Sequence, residues 1–390
     1  MSHRADTDTE LRWWEEFWAE NDVCLYGHAV AIEARDSEPV QPAFTVGRPR
    51  VPVLVELGED WIIQRMGASY RRFIQDFEYQ QTVRQACAER LQAEIGYHLK
   101  PMVHSSSLLH GSVYGNPIEY PEDSTPWLGK IIHGPEDIRP LIARMERVDL
   151  AQAGLVPWFV TCYRKLGRPY RWRILHDATA VHGPGTILGF LCGINDLMLY
   201  LYDVPDLMRA LLELIGNVTV AYSHTVRRLT GAPLTGVSIF DDVAGLLSPS
   251  QFDDFLLPVY EKIYGELAPA SGDDRFYHND ARVAHLLDPL RALGVNGINP
   301  DPDVDPALLR TKLPAAIIYG CVPPLVLKDG SPEQVTQAAR RTIERAGEGG
   351  GLVLTTAGSI NAGTPYANLR ALCEAAQRFG RYERGALVHT

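Results

Sequence analysis

Six cysteines in 390 residues, none of them in a CxxC pair, leave no framework for disulfides and no cysteine-rich zinc or iron–sulfur centre. No run approaches the ~20 consecutive apolar residues that a membrane-spanning helix needs. Blocks of Lys and Arg are also missing, and the formal net charge is −11, so nucleic acid is not an expected partner. The opening MSHRADTDTELRWWEEF has acidic residues where a secretory leader needs a basic start and an apolar stretch. The expectation is a cytoplasmic protein that binds neither nucleic acid nor membrane. There is no tandem repeat, and no shift in composition splits the chain into two independent domains.

What is present is an ordinary globular composition, 46% apolar and 22% charged, with material for a large core. The last third repeats one arrangement: a short apolar run, a polar cluster, then a helix start. The runs are VSIFDDVAGLLSPSQF (237–252), DDRFYHNDARVAHLL (273–287), GVNGINPD (294–301), AAIIYGCVPPLVLKDGSPEQV (315–335) and GLVLTTAGSINAGTPYANL (351–369). Buried parallel strands read as near-continuous apolar runs, and alternation with helices marks βα units. Ser248, Ser331 and Thr364 each precede a proline, the pattern of an N-cap followed by proline at the first helical position. Gln251 and Gln334 complete capping boxes for the first two.

Upstream, Trp13, Trp14, Phe17 and Trp18 share one helical face within residues 8–22, to be packed on the body of the protein or on a partner subunit. Residues 35–50 read as a linker. VPVLVEL (51–57) and KPMVHSS (100–106) read as the first two strands, with helical periodicity over 70–95 between them. Residues 115–127 form a long proline-rich connection, 135–147 a short helix, and 156–163 the start of a less regular region. A long helix is expected over 203–231. The architecture is therefore α/β, a single (β/α)₈ TIM barrel over 51–390 with an N-terminal helical extension and linker over 1–50.

In such barrels the C-terminal ends of the strands carry the chemistry. His278 and Asp280 stand two apart, on one side of an extended segment, and suit an acid/base pair or two ligands of a harder metal. Asp241 and Asp242 end another strand; one of two adjacent carboxylates can be held protonated for donation, or can simply cap the following turn. His104, His110, His176 and His182 place imidazoles near two further strand ends, with Ser107 beside the first pair. Asn299 can orient a polar substrate group or form an Asx turn, and Cys321 can be reactive or an inert buried residue.

These residues resemble the uroporphyrinogen decarboxylase superfamily of (β/α)₈ barrels, which includes the porphyrinogen decarboxylase and zinc-dependent methyltransferases serving thiol and corrinoid chemistry. IFDDVAGLLSP (239–249) is similar to the family's FDSWAG-type strand end. YGCVPPLVLKDGSPEQV is similar to its QGNLDP…GSPE segment, and LTTAGSINAGTP (354–365) to its closing turn. The decarboxylase resemblance implies arginines after the first strand, but Gln64 and Ala68 stand there and only the offset Arg65 remains to hold a substrate carboxylate. Ser106 and Ser107 replace its central aspartate, and Gly358 its closing-turn histidine. The methyltransferase resemblance implies His-x-Cys and a closing Cys; His278 is in place, but Asp280 and Gly358 occupy the cysteine positions. The resemblance thus implies a lyase with decarboxylase-like acid–base chemistry on a small polar or anionic substrate other than uroporphyrinogen, without a cofactor. Its alternative is methyl transfer to or from a thiol or a corrinoid protein, with a divalent metal on His278 and Asp280. A third class is a non-catalytic barrel binding a metabolite, or a partner through the Trp13/Trp14/Trp18 face. A homodimer is expected.

Overall fold

The computed structural model describes residues 2–21, 49–99, 102–105, 107–166, 180–232, 234–383 and 386–388. Its centre is a six-stranded parallel sheet in the order β3 (Ala180–His182), β4 (Gly236–Phe240), β5 (Asp274–His278), β6 (Gly297–Asn299), β7 (Ile317–Val322) and β8 (Leu352–Thr356). The preceding β1 (Ile118–Glu119) and β2 (Trp127–Leu128) pair antiparallel within the long connection. Strand order follows chain order throughout β3–β8, as successive βα units require. Strands β6, β7 and β8 are buried on both faces, and β4 and β5 nearly so. Leu54, Phe276, Ile317, Tyr319 and Val353 pack together as a compact cluster with Phe240 against it, separate from the larger apolar layer shared with the helices. The inner space is a packed core and not a pore.

Residues 51–57 extend the sheet beyond β8. Val53 bridges Leu354 and Leu57 bridges Ile360, both in parallel, with Leu54 N–H on the Leu354 carbonyl at 2.9 Å and Leu354 N–H on that of Pro52 at 2.8 Å. The outward edge of Val53 is met by a side chain: the Asn21 carboxamide donates to its carbonyl at 2.7 Å and accepts from its N–H at 2.8 Å.

The expected second strand takes a different form. Residues 102–105 join no ladder, while 100, 101 and 106 lie outside the described residues. Here the buried Gln80 plays the neighbour's part. It accepts from His104 N–H at 3.0 Å and donates to the His104 carbonyl at 2.9 Å. The fold is thus an α/β barrel of this type in which the backbone ladder, among the described residues, is open on this side.

Helix signals behave as their chemistry dictates. Ser248 and Ser331 form capping boxes with Gln251 and Gln334. Thr364 does not cap: its hydroxyl donates to the Asn361 carbonyl, and helix Tyr366–Phe379 starts from Pro365. The 70–95 segment is two helices, Tyr70–Gln75 and Phe77–Ile95, broken at Asp76, whose carboxylate caps the second through Tyr79 N–H. Residues 156–165 are helical and not irregular, because Phe159, Val160 and Tyr163 bury one face at helical spacing. The long helix is Pro205–Thr230, ended by Gly231 in the left-handed region.

Helix Ser2–Glu20 lies on the barrel. Trp14 and Phe17 are buried, Trp18 donates its indole N–H to the Ile95 carbonyl at 2.7 Å, and Arg370 covers Trp13. The aromatic face packs on the barrel, the first of the uses expected of it. No single described helix is long and apolar enough to cross a membrane.

Candidate functional site at the barrel mouth

The parallel register sets one row of inward residues at the C-terminal end of the sheet. His182 pairs with Phe240, Phe240 with His278, and His278 with Asn299. Just past this row come Asp242, Asp280 and Gly358, from the turns after β4, β5 and β8. Side chains from separate βα units therefore meet at the mouth.

His278, almost wholly buried, is the centre of the group. Its Nδ1 lies 2.8 Å from Asn299 Oδ1, and its Nε2 3.5 Å from Asp280 Oδ1. Asp280 in turn donates its backbone N–H to Asp242 Oδ1 at 2.7 Å. Burial opposes charge on His278, but the two carboxylates and the Asn299 bond outweigh it and raise the imidazole above its ordinary pKa. Asp280 is lowered, chiefly by its pairing with His278. Gly358 adopts φ +74°, and a Cβ there would sit 2.8 Å from Asp280 Oδ1. The absence of a side chain at 358 is what gives the carboxylate its place.

The adjacent Asp241 faces the other way. It is fully buried and accepts from Gly185 N–H (2.9 Å), from Thr186 N–H (2.7 Å) and hydroxyl (2.9 Å), and from Tyr260 Oη (2.6 Å). It is the anion at the N-terminus of helix Pro184–Cys192. A Cβ at Gly183 would lie 2.4 Å from atoms of Asp241, so the Gly-Pro-Gly turn exists to admit this carboxylate. Burial pushes its carboxyl up against the pull of those donors. The expectation that Asp241 acts from the mouth is corrected: its oxygens are occupied beneath the helix. Asp242, next in sequence, is exposed at the mouth.

The remaining candidates divide. His182 lies in the mouth row, its Nε2 2.5 Å from the carbonyl of Ser107, and burial lowers its pKa. Ser107, exposed with φ +56°, offers that carbonyl at the start of the short helix Leu108–Gly111. His104 has both ring nitrogens engaged, Nδ1 with Glu59 at 3.1 Å and Nε2 with Arg84. His110 does not line the mouth: it is buried behind β3, accepts from His182 N–H at 3.1 Å, and has its Nε2 on Thr219; burial drives its pKa well down. Arg65 is not a free substrate clamp, since it pairs with Glu94 at 2.5 Å and reaches Tyr366 at 3.1 Å. Cys321 is buried, its thiol pushed up to about 12 by burial, which leaves it inert at neutral pH. Asn299 is fully buried, and both ends of its carboxamide are bonded within the protein. His176 lies outside the described residues.

Two acids were missed. Glu59 and Asp60 open helix Glu59–Met66 directly after the first strand. Asp60 is raised by burial and by Glu59. Their position after VPVLVEL satisfies the same strand-end rule that selected Asp242, so the signal was in the sequence.

Asp242, His278 and Asp280 bring one ligand atom each to within 4.8 Å of one another, a donor set fitting a hard divalent cation with open coordination positions. A thiolate zinc site does not fit: carboxylate and glycine hold the cysteine places, and the described cysteines 87, 162, 192, 321 and 373 are all buried elsewhere.

Comparison with known proteins places this geometry in a family. The family described as Uroporphyrinogen decarboxylase (URO-D) matches residues 51–379. The uroporphyrinogen decarboxylase of Coxiella burnetii (strain RSA 493 / Nine Mile phase I) is 27% identical over 184 residues, 46% of this chain and 49% of that protein. That of Hordeum vulgare is 30% identical over 166 residues, 42% of this chain and 50% of that protein. The aligned stretch spans about half the length of these curated relatives. A methyltransferase from Methanosarcina mazei shares the fold at TM-score 0.64 and 20% identity, with 84% of this chain and 94% of that one covered. With its match running from the first strand to the last helix, the chain belongs to the uroporphyrinogen decarboxylase family.

Proposed function

We propose that this protein is a lyase that decarboxylates a small polar or anionic substrate at the barrel mouth, with His278 as the proton donor and Asp280 as its charged partner. The observation that carries the reading is the pairing itself: a buried imidazole raised in pKa, its Nε2 directed at a lowered carboxylate. In such a step the bond between the substrate carbon and its carboxylate breaks and carbon dioxide leaves. The electron pair stays on the substrate, and that carbon takes the proton from the imidazolium Nε2. Asp280 balances the imidazolium charge before transfer, and solvent reprotonates the ring afterwards. Asp242 orients Asp280 through its backbone N–H and adds negative potential that favours the protonated ring.

Uroporphyrinogen does not suit this mouth. Arg65 is tied to Glu94, and Gln64 is an uncharged carboxamide bonded to Tyr70 at 3.2 Å, so neither offers a free cation to its carboxylates. Each unpaired buried carboxylate costs on the order of 1–3 kcal/mol or more. Coproporphyrinogen formation at an ordinary enzymatic rate would overturn this exclusion.

A second reading, methyl transfer of the kind named for the Methanosarcina mazei fold relative, is favoured by the Asp242–His278–Asp280 donor set. There a hard divalent cation on these three residues would supply Lewis-acid polarisation of the substrate. The test has two arms. With a substrate found by metabolite profiling, His278→Ala and Asp280→Ala are expected to fold and to lose ~10²–10⁴ in kcat. The double variant is expected to lose far less than the product of the single losses. Wild-type turnover in both single variants removes the pair from the chemistry. In the second arm, stoichiometric retention of Mn2+ or Zn2+ through dialysis, lost in Asp242→Ala, would shift the assignment to the metal reading.

A further inference from the structure

Asn299 sits at the end of β6, directly beside His278 across the β5–β6 ladder, and has no exposed surface. Its carboxamide is oriented by three backbone groups. The Nδ2 donates to the carbonyls of Tyr319 at 2.6 Å and Thr356 at 3.0 Å, while Oδ1 accepts from Gly358 N–H at 2.9 Å. Turning the amide over would set its oxygen against two carbonyl oxygens and its NH2 against an N–H, three repulsive contacts in a buried place. The oxygen is therefore fixed toward His278, and an acceptor at 2.8 Å from Nδ1 requires a proton on Nδ1. The neutral ring is left with its lone pair on Nε2, the nitrogen that faces Asp280 and the mouth.

We propose that Asn299 is a positioning residue that fixes the tautomer of His278, holding the proton on Nδ1 so that Nε2 is the ring nitrogen presented to the mouth. Strands β6, β7 and β8 and the closing turn all contribute to this one setting, so the sheet itself determines which ring nitrogen is available. The structural assignment concerns the ring alone; its effect on turnover rests on the proposed role of His278.

The experiment is a two-bond 1H–15N correlation spectrum of the full chain labelled at histidine Nδ1 and Nε2. It is recorded above the titration midpoint of His278, whose signals are identified by their loss in His278→Gln. Wild-type protein is expected to show His278 protonated at Nδ1. Protonation at Nε2 in the wild-type spectrum overturns the inference, whatever any variant does. In Asn299→Ala, a shift of the neutral ring toward the Nε2–H form is expected, with kcat lowered about 10²-fold and KM little changed. Retention of the pure Nδ1–H form in a folded Asn299→Ala would also overturn it, because some other group would then set the tautomer. Should that variant fail to fold, the wild-type spectrum still decides. An Nδ1–H ring together with full activity in His278→Ala would refute the proposed function and leave this inference standing.

Discussion

The two sides of the barrel mouth are built by different means. On the side of β4–β8, each strand is laddered to its neighbours, and His278 and Asn299 inherit their positions from a continuous register. At the outer edge of residues 51–57 and at residues 102–105, backbone pairing gives way to carboxamides: Asn21 serves Val53, and Gln80 serves His104. A side-chain amide carries the same donor and acceptor as a peptide group, so it satisfies a strand edge without a strand. A ladder, however, fixes several residues at once, whereas each carboxamide fixes one. Position on the first side is a property of the sheet, and on the second side a property of single residues.

The contrast can be broken by mutation, most severely at Asp241. Replacing it with Ala strips buried donors at Gly185, Thr186 and Tyr260 of their acceptor. At about 1–3 kcal/mol for each unsatisfied buried group, a loss above ~3 kcal/mol is expected in denaturant unfolding. A loss under ~1 kcal/mol would mean that the helix N-terminus does not depend on this anion. Gln80→Leu is expected to cost about 2 kcal/mol and to act locally. Amide exchange should rise over 102–105 and stay unchanged in β5–β7, and a uniform rise would show that the two sides are one cooperative unit. The smallest effect is expected at Asp274, at the opposite end of β5 from the site. Burial, and then Asp273, push its carboxyl up to about 7. A folded pKa above the unfolded value of about 3.9 means that the protonated form is favoured in the fold. Its contribution is intact below pH ~4 and is lost as pH rises through about 7. Asp274→Asn should therefore be more stable than wild type at pH 8, by about 1 kcal/mol once solvent screening of this half-buried group discounts the ~4 kcal/mol of the full shift, and equal to it near pH 4. Equal stability at both pH values would place the Asp274 carboxyl in water.

The same contrast explains what the sequence made legible. The runs that became β4 to β8 announced themselves because strands buried on both faces must be apolar throughout, with turn residues at each end. KPMVHSS has the composition of a strand, yet its partner is Gln80, twenty-four residues away, and no periodicity encodes such a clamp. In the site, the spacing of His278 and Asp280 put them at one strand end by simple alternation. The opposite fates of Asp241 and Asp242 were not readable locally. They depend on Gly183 and Gly185 leaving room for one of the two carboxylates, some fifty-five residues upstream. Arg65 was misread for a similar reason, since Glu94 and Tyr366 come to it from other helices. Strand-end position alone marks Glu59 and Asp60, although the decarboxylase resemblance points to arginines in the turn after the first strand.

Gly358 links two positions of the site. A Cβ at 358 would lie 2.8 Å from Asp280 Oδ1, the movable end of that side chain, so a residue larger than glycine would turn the Asp280 carboxylate aside, and φ +74° adds a penalty of about 1–2 kcal/mol for an L-residue. What stands at 358 therefore decides whether the Asp280 carboxylate can stay beside His278.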